Sequence, residues 1–267
     1  MILNIVFAFL VITALGLLLG VGLAVAAKKF AVKKDERAEE ILAILPGANC
    51  GACGHPGCSG YASALSAGTA QNGLCSPGGA KTSALVAKIL GLEETATVER
   101  MVAFVHCRGS HEVSSLDYKY EGIEDCNAAH LLFKGDNTCK YGCLHLGSCI
   151  QVCPVNAISR DDKGIIMVDP IACIGCRKCT LVCPTKVIRM IPASGSHAIA
   201  CNSNDTGARV RKICSVGCIG CKICENKFPA SGCKVVNFLS EIDYSTSMEQ
   251  IEGAAEACPT KCIVKAL

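Results

Sequence analysis

The sequence predicts an α+β chain in which one membrane-spanning helix precedes several small cysteine-rich domains. Three observations carry this. The 267 residues include 22 cysteines, the stretch Ile2–Ala27 is apolar and uncharged, and the cysteines recur at short, regular spacings. So high a cysteine share is normal for a small secreted disulfide scaffold. This chain is too long for one and, with 51% hydrophobic residues, too apolar. It has no Trp and 4% aromatics, so its cores have few aromatic anchors. Charged residues at 18% argue against a disordered or heavily solvated chain, and a formal net charge of +3 excludes a strongly basic nucleic-acid binder.

Ile2–Ala27 contains 26 residues and a single amide, Asn4. At about 1.5 Å per residue it makes roughly 39 Å of helix, enough to cross a bilayer with some tilt. A cleaved signal peptide would carry positive charge before the run and a polar, small-residue site after it. Here Lys28, Lys29, Lys33 and Lys34 all follow the run. Residues 1–27 therefore read as an uncleaved single-pass anchor in the cytoplasmic membrane, with the N-terminus outside and the remainder on the cytoplasmic side. Gly16 and Gly20 offer a small-xxx-small face to a partner helix, or are simply glycines of a membrane helix. A reducing cytoplasm disfavours disulfides, so clustered cysteines read as metal ligands or redox thiols. Residues 28–45 read as a juxtamembrane helix and linker, with Ala31, Ala38, Ile41, Leu42 and Leu45 apolar.

Residues 46–105 form the next predicted domain. Cys50, Cys53, Cys58 and Cys75 follow the spacing C-x2-C-x4-C-x16-C among glycine-rich turns. Glycine lets backbone approach sulfur closely, so four thiolates at this spacing can wrap a metal centre. Zinc would take four thiolates as two C-x2-C knuckles. Three ligands within nine residues and a distant fourth fit an iron–sulfur cluster better. His55, beside Cys53, reads as a neighbour rather than a ligand. Residues 80–105 read as helical, with Leu85, Val86, Ile89 and Leu90 near helical spacing.

Cys173, Cys176, Cys179 and Cys183-Pro184 follow C-x2-C-x2-C-x3-C-P, the bacterial ferredoxin run, in which the first three cysteines hold one cluster and the fourth serves another. The partner run lies upstream, as Cys139, Cys143, Cys149 and Cys153-Pro154. Cross-ligation predicts one [4Fe–4S] cluster on Cys153, Cys173, Cys176 and Cys179. It predicts a second on Cys143, Cys149 and Cys183, with Cys139 as the fourth ligand. Aligned with itself at one constant offset, the chain maps Cys126 onto Cys201, Cys139 onto Cys214, Cys143 onto Cys218, Cys149 onto Cys224 and Cys183-Pro184 onto Cys258-Pro259. It thus holds a tandem duplication, 106–192 and 193–267. Leu146 stands where the second copy has Cys221, which is why the first copy is expected to recruit Cys139. In the second copy Cys218, Cys221, Cys224 and Cys258 make one complete cluster. The counterparts of Cys153, Cys173, Cys176 and Cys179 are Phe228, Met248, Ile251 and Ala254. That half reads as having lost a whole cluster and filled the space with apolar side chains.

The expectation is four [4Fe–4S] clusters on 16 cysteines. Cys107, Cys126, Cys201, Cys214, Cys233 and Cys262 are left over and read as buried thiols packing as small hydrophobes. The alternative is a further centre built from Cys107, Cys126, Cys201 and Cys214. Asp117–Gly122 looks like a strand or turn, and Ile165–Val168 and Val235-Val236 like short strands. His106, His111, His130, His145 and His197 stand at no ligand spacing. No P-loop, post-strand G-x-G-x-x-G or G-x-S-x-G occurs, so no flavin or nicotinamide site, and no catalytic nucleophile, is expected. With four sites of charge −2 each, the formal +3 becomes about −5 in the loaded protein.

The anchor, Cys50-Gly51-Ala52-Cys53-Gly54-x-Pro56-Gly57-Cys58 with Cys75, Tyr141-Gly142-Cys143-Leu144-x-x-Gly147-x-Cys149 and the ferredoxin-like repeats resemble the B subunits of Rnf complexes over essentially the whole chain. That family belongs to membrane ferredoxin:NAD oxidoreductases that couple electron flow to Na⁺ or H⁺ translocation. The resemblance implies a subunit of a translocase-type oxidoreductase. It would take electrons from reduced soluble ferredoxin and pass them, through the Cys50/Cys53/Cys58/Cys75 centre, to the membrane subunits. NAD reduction would fall to another subunit. Leu146 and the Phe228/Met248/Ile251/Ala254 set depart from a full two-cluster module in each repeat. Two rival readings are a membrane-tethered polyferredoxin serving another reductase or hydrogenase, and a zinc-bound structural module.

Overall fold

The computed structural model describes residues 2–29, 35–92 and 99–266. Helix α1 (Ile2–Lys29) is apolar all round, and its large side chains from Ile5 to Val25 are exposed, packed against nothing in the chain. Thr13 is its one hydroxyl among the described side chains, and it donates to Phe9 O at 2.8 Å, so that hydroxyl is satisfied within the helix. Lys28 and Lys29 close the helix, where the macrodipole favours positive charge. Ala31, Lys33 and Lys34 lie outside the described residues.

The juxtamembrane helix is α2 (Glu36–Ile44), capped by the Asp35 carboxylate, which accepts from Arg37 N at 3.1 Å and from Ser66 Oγ. It packs on α3 (Gly57–Ser66) and α4 (Gly79–Leu90). Ile41, Tyr61, Leu65 and Val86 meet in the middle and are almost fully buried. Each contributes about 1.5–3 kcal/mol of apolar transfer. The Tyr61 hydroxyl donates to Gln71 O (2.9 Å) and accepts from Leu74 N (3.2 Å), which fixes the loop that delivers Cys75.

The helix expected over 80–105 ends early. Gly91, at φ 65°, caps α4 in the left-handed region. Met101–Val105 is a strand, β1; residues 93–98 lie outside the described residues. Its β-branched Val102 and Val105 suit a pleated surface better than a helix. The deciding partner lies far along the chain: β1 pairs antiparallel with β4 (Ile188–Pro192), from Met101↔Pro192 to Val105↔Ile188.

Between these strands lie α5 (Cys126–Leu131), α6 (Ser148–Gln151), the hairpin β2 (Ile158–Arg160) and β3 (Ile166–Val168), and α7 (Lys178–Val182). The second repeat rebuilds this plan. β5 (His197–Ile199) leads to α8 (Gly207–Ile213), α9 (Ile223–Asn226), the hairpin β6 (Cys233–Val236) with β7 (Leu239–Ile242), α10 (Ile251–Ala257) and β8 (Ile263–Lys265). β8 returns to pair with β5. In each repeat the first and last strands form one small sheet and the inner hairpin another. The first core gathers Val102, Ile158, Ile166, Val187, Ile188 and Ile191; the second gathers Ile199, Leu239, Ile251, Ala254 and Ile263.

The expected apolar filling of the second repeat is visible. Ile251 is 3% and Ala254 0% exposed, and Phe228 and Met248 pack against the same core. A Cβ on Gly253 would stand 2.8 Å from the Phe228 ring, so no spare room remains there. Cys233 and Cys262 occupy the core positions that Ile158 and Val187 hold in the first repeat, and both are buried.

Candidate iron–sulfur centres

Among the described residues, five cavities are walled by cysteines. The first is lined by Cys50, Cys53, Cys58 and Cys75. Asn49 organises it: its Oδ1 accepts from Cys58 N at 2.8 Å, placing Cys58 in the first turn of α3. The second is lined by Cys153, Cys173, Cys176 and Cys179. Ala157 N donates to Cys153 Sγ (3.3 Å) and Ala103 N to Cys173 Sγ (3.5 Å), so β1 reaches into the ligand loop. The Arg100 guanidinium gathers the carbonyls of Pro170, Ile171 and Cys173 at 2.8–2.9 Å and holds that loop shut. Gly175 (φ 68°) is the position where only glycine fits, because a Cβ would lie 2.5 Å from both Met101 O and Ser76 Oγ.

The third cavity is lined by Cys126, Cys143, Cys149 and Cys183. Cys139, the expected fourth thiol of this set, is elsewhere. It lines another cavity with Cys107, Cys201 and Cys214. The cause is an insertion. A short segment joins Cys201 to Cys214 in the second repeat, whereas the segment from Cys107 to Cys139 is more than twice as long. The extra length folds into α5 and carries Cys126 to the cavity that Leu146 leaves short of a thiol. Asp125 caps α5 through Ala128 N (2.9 Å) and accepts from Ser148 Oγ (2.8 Å), and Ser148 Oγ in turn accepts from Cys126 N (2.7 Å). A constant offset between the repeats hides this insertion; the signal that exposes it is the strand immediately before Cys107 and before Cys201.

Cys218, Cys221, Cys224 and Cys258 line the fourth predicted cavity, with Cys262 beside them. Cys262 Sγ is 3.7 Å from Cys258 Sγ. Its S–H lies against both Cys218 and Cys258 and holds both below the ordinary thiol value, while its own proton is retained. Cys233 donates likewise to Cys224 and lowers it. The two leftover core thiols thus act as weak donors to the sulfurs of this set, and donors to sulfur are one of the levers that tunes a cluster's potential. Of the histidines, His106 is pushed down to about 4 by burial, stays neutral, and donates through Nδ1 to Ile199 O at 2.7 Å.

The donor sets fit iron–sulfur clusters. Among the described residues no three Cys, His, Asp or Glu side chains converge closely enough to hold one metal ion. The thiols instead surround spaces of about 310 Å³ or more. Burial pushes Cys149 up to about 11 and Cys179 to about 12, with the charges of neighbouring thiolates adding to it. Four thiolates are tenable in such a space only around a cationic core.

Residues 45–77 match the Fe-S cluster family and residues 138–187 the 4Fe-4S dicluster domain. The chain is 35% identical to the B subunit of the ion-translocating oxidoreductase complex of Methanosarcina acetivorans, over 96% of this chain and 95% of that one. The chain belongs to this B-subunit family. It is an iron–sulfur electron-transfer component of a multi-subunit oxidoreductase complex, and α1 fits a membrane anchor. Within the family it is 37% identical to the B subunit of the Na⁺-translocating ferredoxin:NAD⁺ oxidoreductase complex of Acetobacterium woodii, over 93% of this chain and 74% of that one. It is also 37% identical to the proton-translocating counterpart from Clostridium ljungdahlii, over 97% and 92%.

Proposed function

We propose that the chain accepts electrons from reduced soluble ferredoxin at the Cys218/Cys221/Cys224/Cys258 set and delivers them to membrane subunits from the Cys50/Cys53/Cys58/Cys75 set. The [4Fe–4S] clusters supply one-electron transfer when bound. The chain's residues supply spacing, burial and charge. The observation that carries the reading is the adjacency of the thiol sets. Cys176 feels the charge of Cys50, and Cys179 that of Cys149, so the first three sets form an unbroken series. The series starts beside α2, the helix that follows the anchor. The remaining set, on Cys218, Cys221, Cys224 and Cys258, is the open one: Cys221 alone of the 22 cysteines is exposed, and it adjoins exposed Lys222. With Lys28 and Lys29 closing α1, the positive-inside rule favours a cytoplasmic position for these sets, where soluble ferredoxin is found.

Ferredoxin with an acidic surface would be steered by the Lys222 ammonium beside Cys221. Lys222→Glu is expected to slow reduction by ferredoxin about tenfold at low salt, with the gap narrowing as salt rises. Reduction by dithionite should be unchanged. A ferredoxin rate insensitive to the charge reversal would move the entry point elsewhere and overturn the assignment.

The third set is proposed to be Cys126, Cys143, Cys149 and Cys183. Cys126→Ala is expected to remove about four iron atoms and one EPR signal of the reduced protein. Cys139→Ala is expected to leave that signal in place. The reverse pattern would restore Cys139 as the fourth ligand.

A further inference from the structure

The fifth cavity is shared between the two repeats. Cys107 and Cys139 come from the first and Cys201 and Cys214 from the second, and Cys143 of the third set forms part of the wall. Its space, about 480 Å³, is larger than those of the four sets above, and apart from Arg108, Asn137, Tyr141, Asn202 and two serines its lining is apolar or glycine.

The arrangement has internal symmetry. His106 N donates to Val187 O and Ala200 N to Cys262 O, and Val187 and Cys262 hold equivalent positions, each four residues after the Cys-Pro cysteine of its repeat. Cys107 therefore corresponds to Cys201, each just beyond the first strand of its repeat. Cys139 corresponds to Cys214, each four residues before the first cysteine of the following motif. Each repeat contributes the same two thiols.

The backbone treats these sulfurs as it treats cluster ligands. Cys143, Cys176 and Cys218 each accept an N–H from two residues on, from His145, Lys178 and Gly220. At the shared cavity Cys107 accepts from Gly109, Cys139 from Tyr141 and Cys201 from Ser203. The core thiols Cys233 and Cys262 instead donate to other sulfurs. Hydrogen bonds between the repeats hold the walls of the cavity in register. Ser115 N donates to Ile213 O (2.9 Å) and Ser215 N to Val113 O (3.0 Å), and the Asn202 amide reaches Tyr141 O and Thr185 O at 3.3 Å.

We infer that Cys107, Cys139, Cys201 and Cys214 hold an additional [4Fe–4S] cluster that joins the two repeats. Its place explains why a second repeat with a single cluster is useful. Cys107 adjoins Cys143 of the third set, and Cys201 adjoins Cys218 of the exposed set. The shared site therefore fills the step between the exposed set and the other three, and the order along the chain becomes continuous. The inference rests on the relay proposed above.

The test is iron and acid-labile sulfide in the full-length chain, reconstituted anaerobically in detergent. Wild type is expected to hold about 20 iron atoms, five clusters of four. Cys201→Ala with Cys214→Ala, and separately Cys107→Ala with Cys139→Ala, should each lower this to about 16 and remove the same EPR signal. Saturation of wild type at about 16 iron atoms would overturn the fifth site while leaving the four-set relay standing. So would one zinc per chain alongside 16 iron atoms, or a double variant that keeps about 20. Absence of iron from all five sets would overturn the relay as well.

Discussion

Deletion of residues 1–27 is expected to move the protein wholly from the membrane fraction to the soluble fraction. It should leave a brown, redox-active chain that no longer supports electron delivery to the membrane subunits. Fourteen large apolar side chains of α1, from Ile5 to Val25, are exposed and touch no other part of the chain. At about 1.5–3 kcal/mol each, their transfer out of water is worth upwards of about 20 kcal/mol, more than any exposed contact of the remaining chain could replace. The cysteine sets do not depend on α1, because the helical hub of Ile41, Tyr61, Leu65 and Val86 begins after it. The measurement is fractionation followed by ferredoxin-dependent turnover of the reassembled complex. A truncated chain that stayed with the membrane and kept full turnover would remove the tethering role.

The second large effect separates two neighbouring positions of the second repeat. Cys258→Ala is expected to abolish the cluster of the exposed set. The thiol of Cys262 holds the sulfur of Cys258 below its ordinary value, and loss of that sulfur leaves three thiols beside solvent. Met248→Ala is expected to leave every cluster signal in place while lowering stability by about 1–3 kcal/mol, the usual penalty for hollowing a half-buried apolar site. Met248 lies with Phe228, Ile251 and Ala254 where the first repeat has Cys173, Cys153, Cys176 and Cys179. EPR of the reduced variants beside chemical denaturation of the apoproteins reads both effects. Loss of a cluster signal on Met248→Ala would mean that the replaced site still touches a ligand set.

Much of the site is legible in the residues because ligand loops are local. Cys173, Cys176 and Cys179 come together by the turn between them, and spacing suffices to group them. Spacing favours Cys139 over Cys126 for the third set, and the structure reverses the two, because their neighbours are set by where an insertion folds. Leu146 does signal that a thiol is missing from the first repeat. What supplies it depends on α5, whose position is fixed by Asp125 and Ser148 rather than by any cysteine spacing. Residues 80–105 read as one helix because Leu85, Val86, Ile89 and Leu90 set a helical spacing, and only Ile188–Pro192, far downstream, turns Met101–Val105 into a strand.

That strand also sets a clock on biosynthesis. Val105 and Ile188, the nearest partners in the β1–β4 ladder, are separated by nearly the whole first repeat. At about 5–20 residues per second, a separation of roughly 80 residues means that β1 leaves the ribosome roughly 4–17 s before its partner exists. Through most of that interval Cys173, whose sulfur will accept from Ala103 N, has not been made either, while the Cys50–Cys75 loop and its three helices are already complete. On the reading proposed above, the Cys50/Cys53/Cys58/Cys75 set is complete first and the sets that wait for both repeats are complete last, so the order of assembly runs opposite to the proposed direction of electron flow.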